Sequence, residues 1–271
     1  MKKLVITGLL AATLLGGGAS ARAAAAPLYI NGTAVESAGS FVVQQTTYAP
    51  LRTVLQALRP DAEVWWEADR AMARGEELEV SARPGEAWME INGRLYYVPH
   101  KVRLLSGRTM VPVRALAEAL GATVEWEAAT GAVHVTGGGE AAEGETAVGV
   151  QEEDLYWLSR IISAESRGEP LEGQIAVGNV VLNRVASDQF PDSVYEVIFD
   201  SRWGGQFTPV SNGTIYHTPA ESSVQAARLC LTGANTAGDS LYFLAPALAD
   251  SHWIMANRTY VTTIGSHCFY R

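Results

Sequence analysis

The residues best suited to chemistry are three acids in one short stretch. Glu165 ends an apolar helical pattern, beside Ala164 and after Ile161 and Ile162. Burial at such a place raises the pKa of a carboxyl group, as a general acid requires. Glu169 follows beyond a glycine, and Glu172 opens the next helical pattern, where a negative charge is favoured anyway. From spacing alone, a helix-end salt bridge from Glu165 to Arg160, Arg167 or Arg184 accounts for the pattern equally well. Acids at this spacing are not a metal motif, and no HExxH occurs.

Other chemistry finds less support. His217, His252 and His267 are too widely spaced for a zinc cluster. No Gly-x-Ser-x-Gly elbow supports a serine triad. Cys230 and Cys268 lack redox or zinc spacing. In an oxidising compartment they can pair and tie the C-terminus to an upstream helix; otherwise they are small buried hydrophobes. The loop from Trp203 to Gly213 is aromatic, glycine-rich and polar. Such a loop suits a saccharide groove, with rings on sugar faces and amides on hydroxyls, and it equally suits a packed surface loop.

The elements that must position these groups read clearly. Leu155, Leu158, Ile161 and Ile162 recur at helical spacing, predicting a helix that ends near Arg167 to Pro170. Gly168 is a reasonable C-cap and Pro170 prevents continuation. A second helix is predicted from about Leu171 to Val185, with small Gly178 allowing close helix packing. Pro191 and Asp192 are expected to start a short helix with Val194, Val197 and Ile198 on one side. Residues 219–232 read as another helix, with Val224, Ala227 and Leu231 inward and Gly233 as its stop.

The first half repeats itself. Ile30-Asn31-Gly32 recurs as Ile91-Asn92-Gly93, Pro50 to Leu58 as Pro112 to Leu120, and Trp66-Glu67 as Trp126-Glu127. Each copy reads strand, Asn-Gly turn, strand, short helix after proline, then a strand through the tryptophan. Pro112 suits a helix start and Gly121 a helix stop. His134 reads as a surface strand residue. Arg52 and Arg114 occupy equivalent places, which a shared structural ion pair explains as well as binding does.

These patterns sit in a chain of 271 residues with 20 basic and 29 acidic side chains, a formal charge of -9. That balance argues against a nucleic-acid or other polyanion binder, which needs clustered positive charge. Lys2 and Lys3, the apolar run from Leu4 to Leu15, and small residues up to Ala23 read as a secretory signal over 1–23. The run is short for a bilayer span, so the expectation is an exported protein with no stable membrane insertion after cleavage. Residues 28–137 form the repeated module. The acidic, glycine-rich stretch 138–153 reads as a linker, and 154–271 as a second domain.

The first half, most strongly from Arg108 to Thr136, resembles the small extracellular module named after the N-terminal domain of copper amine oxidases. That name implies no chemistry here, since no copper-ligand cluster is visible. The resemblance suggests a non-catalytic module that is wall-associated, positions substrate or acts as a spacer. The second half resembles the SleB/CwlJ family of cell-wall hydrolases. The resemblance rests on Arg160 to Pro170, Glu172 to Val185, Phe190-Pro191, Gln206 to Val210, Leu241-Tyr242-Phe243, Trp253, Ile264 to His267 and Phe269-Tyr270. Ser166, Thr208 and Cys268 depart mildly from the family pattern; Cys268 favours a local disulfide.

This second resemblance implies an α+β protein with a lysozyme-like, mainly helical catalytic domain, preceded by the small duplicated strand-helix-strand module. It implies peptidoglycan glycan strands as the partner, in the cell wall or spore envelope, with no metal or organic cofactor. It places the catalytic acid at Glu165 and makes Glu169, Gln206, Thr208, Tyr242 and Trp253 candidate substrate-binding residues. The expected activity is a lytic transglycosylase. The alternatives are a hydrolytic muramidase, an N-acetylmuramoyl-L-alanine amidase, or a wall-binding protein without activity.

Overall fold

The structure is a computed structural model that describes residues 26–35, 39–138, 151–202, 204–248 and 253–271. The expected signal segment, residues 139–150 of the expected linker, and Trp203 and His252 lie outside the described residues.

The first half shows its repeat in element order. β1 (Leu28–Ile30) and β2 (Thr33–Ala34) flank Asn31-Gly32. Then come β3 (Phe41–Val43), β4 (Thr46–Pro50), α1 (Leu51–Leu58) and β5 (Glu63–Glu67), followed by β6 (Arg70–Gly75) and β7 (Leu78–Ala82). β8 (Trp88–Ile91) and β9 (Arg94–Tyr97) flank Asn92-Gly93. β10 (Arg103–Leu105), β11 (Arg108–Pro112), α2 (Val113–Ala119), β12 (Ala122–Glu127) and β13 (Ala132–Gly137) complete the series. Both Asn-Gly pairs are left-handed, with φ of 48° and 76° in the first and 51° and 79° in the second. A two-residue hairpin turn needs that backbone, and these residue types tolerate it.

Pro50 and Pro112 are the N-caps of α1 and α2, with nearly identical backbone angles. β4 and β11 pair antiparallel so that Pro50 faces Met110 and Pro112 faces Tyr48, with Ala49 and Val111 between them. The register is therefore symmetric in the two copies. Arg52 donates to the Val64 carbonyl at 2.8 Å, and Arg114 donates to the Val124 carbonyl at 3.0 Å. Their shared role is to hold the following strand by its backbone; only Arg114 adds an ion pair, to Glu118. Of the two readings open from the sequence, a structural one fits, but through backbone carbonyls and not a common ion pair.

Three sheets build this half, in the orders β12-β13-β1-β2, β10-β11-β4-β3 and β5-β6-β7-β8-β9. Their inner faces share one core with α1 and α2, including Tyr48, Leu51, Leu55, Met89, Ile91, Met110 and Leu116. β13 ends at Gly137.

The second half is helical around a buried centre. α3 (Glu152–Ser166), α4 (Leu171–Val185), α5 (Val194–Phe199), α6 (Thr208–Ser211) and α7 (Glu221–Leu231) are followed by β14 (Tyr242–Leu244), α8 (Trp253–Asn257), β15 (Tyr260–Ile264) and β16 (His267–Tyr270). The chain as a whole is α+β. α4 is buried on every side from Gly173 to Val181, as a central helix must be. A Cβ at Gly178 would meet Cys230 Sγ at 2.7 Å and Ile162 Cδ1 at 2.8 Å, so glycine is what lets α3, α4 and α7 close together.

Three expectations change. α5 starts at Val194 under a Ser193 cap, whose hydroxyl accepts from Glu196 N, and not at Pro191 or Asp192. α7 buries Ser223, Ala226, Ala227, Leu229 and Cys230, leaving Val224 and Leu231 half-buried. It contacts α3 and α4 together, so its smallest residues occupy the closest approach. Cys230 and Cys268 are both free thiols. Cys230 lies beneath α4, with its thiol on the Ile175 carbonyl, whereas Cys268 meets the Thr263 hydroxyl across the β15–β16 hairpin.

The two halves touch along β9 and the end of α7. Arg94 donates to the Thr232 carbonyl at 3.0 Å, and the Thr232 hydroxyl donates to the Leu95 carbonyl at 2.8 Å. Leu95 is buried in the core of the second half, with Trp88 and Tyr97 against it.

Candidate active site

Glu165 lies in the last turn of α3. Leu158, Ile161, Ile162 and Ser166 bury the helix face that packs into the core, and Glu165 emerges half-buried beside it. It opens onto a cavity of about 1030 Å³ that also holds Arg184, Gln206, Thr208, Tyr242, Trp253 and His267. A second cavity of about 410 Å³, bordered by Arg160, Arg167, Asn212 and His217, shares Glu165 and Thr208 with the first. The acid therefore stands where two cavities meet.

Burial pushes the Glu165 carboxyl up to about 7, opposed by the positive charge of Arg184. No hydrogen bond stabilises its ionised form among the described residues. Desolvation thus dominates, and near neutral pH the carboxyl divides between its protonated and ionised forms.

The helix-end salt bridge open from spacing is not made. Arg184 comes from the last turn of α4, and its Nε donates to the Leu241 carbonyl at 2.8 Å. Its guanidinium lies against the rings of Phe190, Phe207 and Tyr242 at 4.9, 5.2 and 5.7 Å. Tyr242 also accepts a hydrogen bond from Arg258 Nη2 at 3.1 Å. Arg258 in turn stacks over Trp253 at 5.0 Å. One wall is thus an alternation of rings and guanidinium groups, apolar on its faces and rich in donors at its edges.

Glu165, Gln206, Thr208, Tyr242 and Trp253 come together at this cavity. Glu169 does not line it. The Ser266 backbone N–H donates to Glu169 Oε2 at 2.9 Å, and the Ser266 hydroxyl donates to Oε1. These bonds hold its carboxyl below the usual carboxylate range, with smaller help from His267. Gly265, at φ 59°, has no room for a Cβ because Glu169 occupies that space. Glu169 thereby ties the α3–α4 connection to the turn between β15 and β16.

Two cavity residues were not singled out from the sequence. Arg184 was visible only as a possible salt-bridge partner, and His267 only as one of three scattered histidines. His267 is buried, its Nδ1 stands 3.8 Å from Glu169, and burial pulls its pKa down. Among the described residues no group of three or more His, Cys, Asp or Glu side chains converges to hold a metal ion.

Residues 168–270 match the family model described as Cell Wall Hydrolase. The C-terminal half of the chain is thus similar to the cell wall hydrolase family. Residues 29–135, before it, match the copper amine oxidase N-terminal domain. The cell wall hydrolase half is 40% identical over 121 residues to a spore cortex-lytic enzyme of Bacillus cereus, covering 45% of this chain and 45% of that protein. It is 39% identical over 121 residues to a spore cortex-lytic enzyme of Halalkalibacterium halodurans, covering 45% and 36%. The chain therefore spans less than half the length of these relatives. A solved structure, the catalytic domain of the germination-specific lytic transglycosylase SleB from Bacillus anthracis, is 40% identical, with a TM-score of 0.41. That likeness covers 45% of this chain and 96% of the solved one.

Proposed function

We propose that the protein is a peptidoglycan lytic transglycosylase with Glu165 as its acid and base. The observation that carries this is one buried carboxyl, raised to about 7, at the junction of two cavities. Among the described residues Glu165 is the only carboxylate lining either cavity. Ordinary glycosidases need a second carboxylate as nucleophile or as base for water, whereas an intramolecular attack does not.

In this reading protonated Glu165 gives its proton to the oxygen between N-acetylmuramic acid, or its δ-lactam form, and N-acetylglucosamine. The C1–oxygen bond breaks and leaves an oxocarbenium-like centre. The Glu165 carboxylate then takes the proton from the 6-hydroxyl of the same muramoyl unit, whose oxygen closes on C1 to give a 1,6-anhydro end. One group serves both steps because the environment keeps its pKa near the working pH. The rings of Tyr242 and Trp253 offer faces for sugars, and Gln206 and Thr208 offer partners for hydroxyls. The names of the relatives support peptidoglycan as substrate, including that of the spore cortex. The helical half suits a lysozyme-like domain at 154–271. The repeated half suits a non-catalytic module at 28–137, and the 1–23 pattern suits export to the wall or spore envelope.

The test is mass analysis of the products from purified glycan strands. Anhydromuramoyl ends are expected. Reducing muramic acid ends would indicate hydrolysis by water, free stem peptides an amidase, and no products a binding protein. Running δ-lactam-containing cortex beside ordinary wall decides which the protein prefers.

A further inference from the structure

Arg184 is a charge the fold has taken trouble to bury. Only 5% of it is exposed, in a helix whose other buried residues are mostly apolar. Burial lowers its pKa to about 10, so it remains a cation at neutral pH. Among the described residues it has no ion pair: Asp200, which acts on it through space, is bound to Arg202 at 2.9 Å. Its Nε is satisfied by Leu241, yet its buried Nη1 has no hydrogen-bond partner among the described residues. Burying a charged donor without an acceptor is costly. The same guanidinium lines the cavity that holds Glu165.

We propose that Arg184 is the positioning residue of the site: its guanidinium, a charge without an ion pair at the wall of the cavity, orients an oxygen acceptor of the bound glycan next to the bond being cut and steadies the Glu165 carboxylate after proton delivery. This rests on the acid/base reading of Glu165. The arrangement suits a group that must be acid first and base second. A direct ion pair would keep Glu165 ionised and remove its proton. A cation in the same cavity but outside direct pairing favours the carboxylate without fixing it. The other charged or titratable groups facing Glu165 are Tyr242 from β14, Arg258 after α8 and His267 from β16 in the larger cavity. Arg160 and Arg167 from α3, and His217, face it in the smaller one. Among all of these Arg184 is the charge that acts on Glu165.

The experiment measures kcat and KM against pH on glycan strands with the full chain, Arg184→Gln, Arg184→Lys and Glu165→Gln. Cleavage requires protonated Glu165, so kcat/KM falls as pH rises through its pKa. Arg184→Gln removes the cation, so this descending limb should move to higher pH and kcat should fall at least about tenfold. Arg184→Lys keeps a charge but loses the fork, so the limb should stay near its wild-type position while KM rises severalfold. A structural role alone would lower the melting temperature of both variants and leave limb and KM unmoved, and that result overturns the proposal. Should Arg184→Gln fail to fold, an unchanged KM in Arg184→Lys overturns it just as well. Turnover by Glu165→Gln would instead sink the acid/base reading. A dead Glu165→Gln beside an unmoved limb in Arg184→Gln would sink this inference alone.

Discussion

The end of α3 and the connection just after it hold the same side chain in opposite circumstances. Glu165 opens into a cavity with no hydrogen bond to its carboxyl, and burial pushes it up to about 7. Glu169 is gripped by the backbone and hydroxyl of Ser266, and those bonds push it down. One is a carboxyl the fold leaves unsatisfied, the other a carboxyl the fold uses as a strap. A site that must give up and take back a proton gains from the first condition and would be disabled by the second.

The largest expected difference between the two regions is in turnover. Glu165→Gln should reduce glycan cleavage by about 10³-fold or more while leaving glycan binding intact. Glu169→Gln should stay within about tenfold of wild type, because it touches neither cavity. A dead Glu169→Gln with a normal melting temperature would break the comparison.

Next in size is the strap itself. Gly265→Ala places a methyl group where Glu169 sits, at a backbone angle that disfavours any Cβ. Denaturant unfolding should show a loss of roughly 2–4 kcal/mol.

The third difference is one of sign. The raised pKa of Glu165 makes its stability contribution present at acid pH and lost as pH rises through about 7. Glu165→Gln should therefore be more stable than wild type at pH 8, by about 1–3 kcal/mol, and nearly equal to it at pH 4. Glu169 contributes in the opposite direction, with stability present above the usual carboxylate range and lost as pH falls through its lowered pKa. Melting curves across pH test both signs at once. The smallest effect is Ser266→Ala, which keeps the backbone donor and loses the hydroxyl: about 1 kcal/mol, fading as Glu169 protonates.

Much of this architecture was legible in the residues. The spacing of Leu155, Leu158, Ile161 and Ile162 placed α3, Pro170 separated it from α4, and Gly178 announced the close helix contact. The repeat around Pro50 and Pro112 foretold two matching helix starts. What misled was local pattern where two neighbours compete. On α7, Val224 and Leu231 look like the inward face, but packing against two helices gives that place to Ser223, Ala226 and Cys230. The shared positions of Arg52 and Arg114 left charge pairing and binding equally open, while their common partners are backbone carbonyls. Arg184 and His267 were named in the sequence but given no place in the site, because a lone basic residue on a helix or strand does not show which group it will face.

By itself the sequence determined where α3, α4 and α7 lie, that short motifs recur in the first half, and that Glu165 ends an apolar helix. Those properties follow from side-chain period, turn residues and proline geometry, which act over a few residues. Only the tertiary structure decided which acid is free. Ser266 reaches Glu169 across 97 residues, and Tyr242 and His267 arrive at Glu165 from distant strands. Desolvation belongs to everything that surrounds a group, so the local pattern left a raised pKa at Glu165 level with a helix-end salt bridge, and the buried guanidinium of Arg184 has no local signature in the chain.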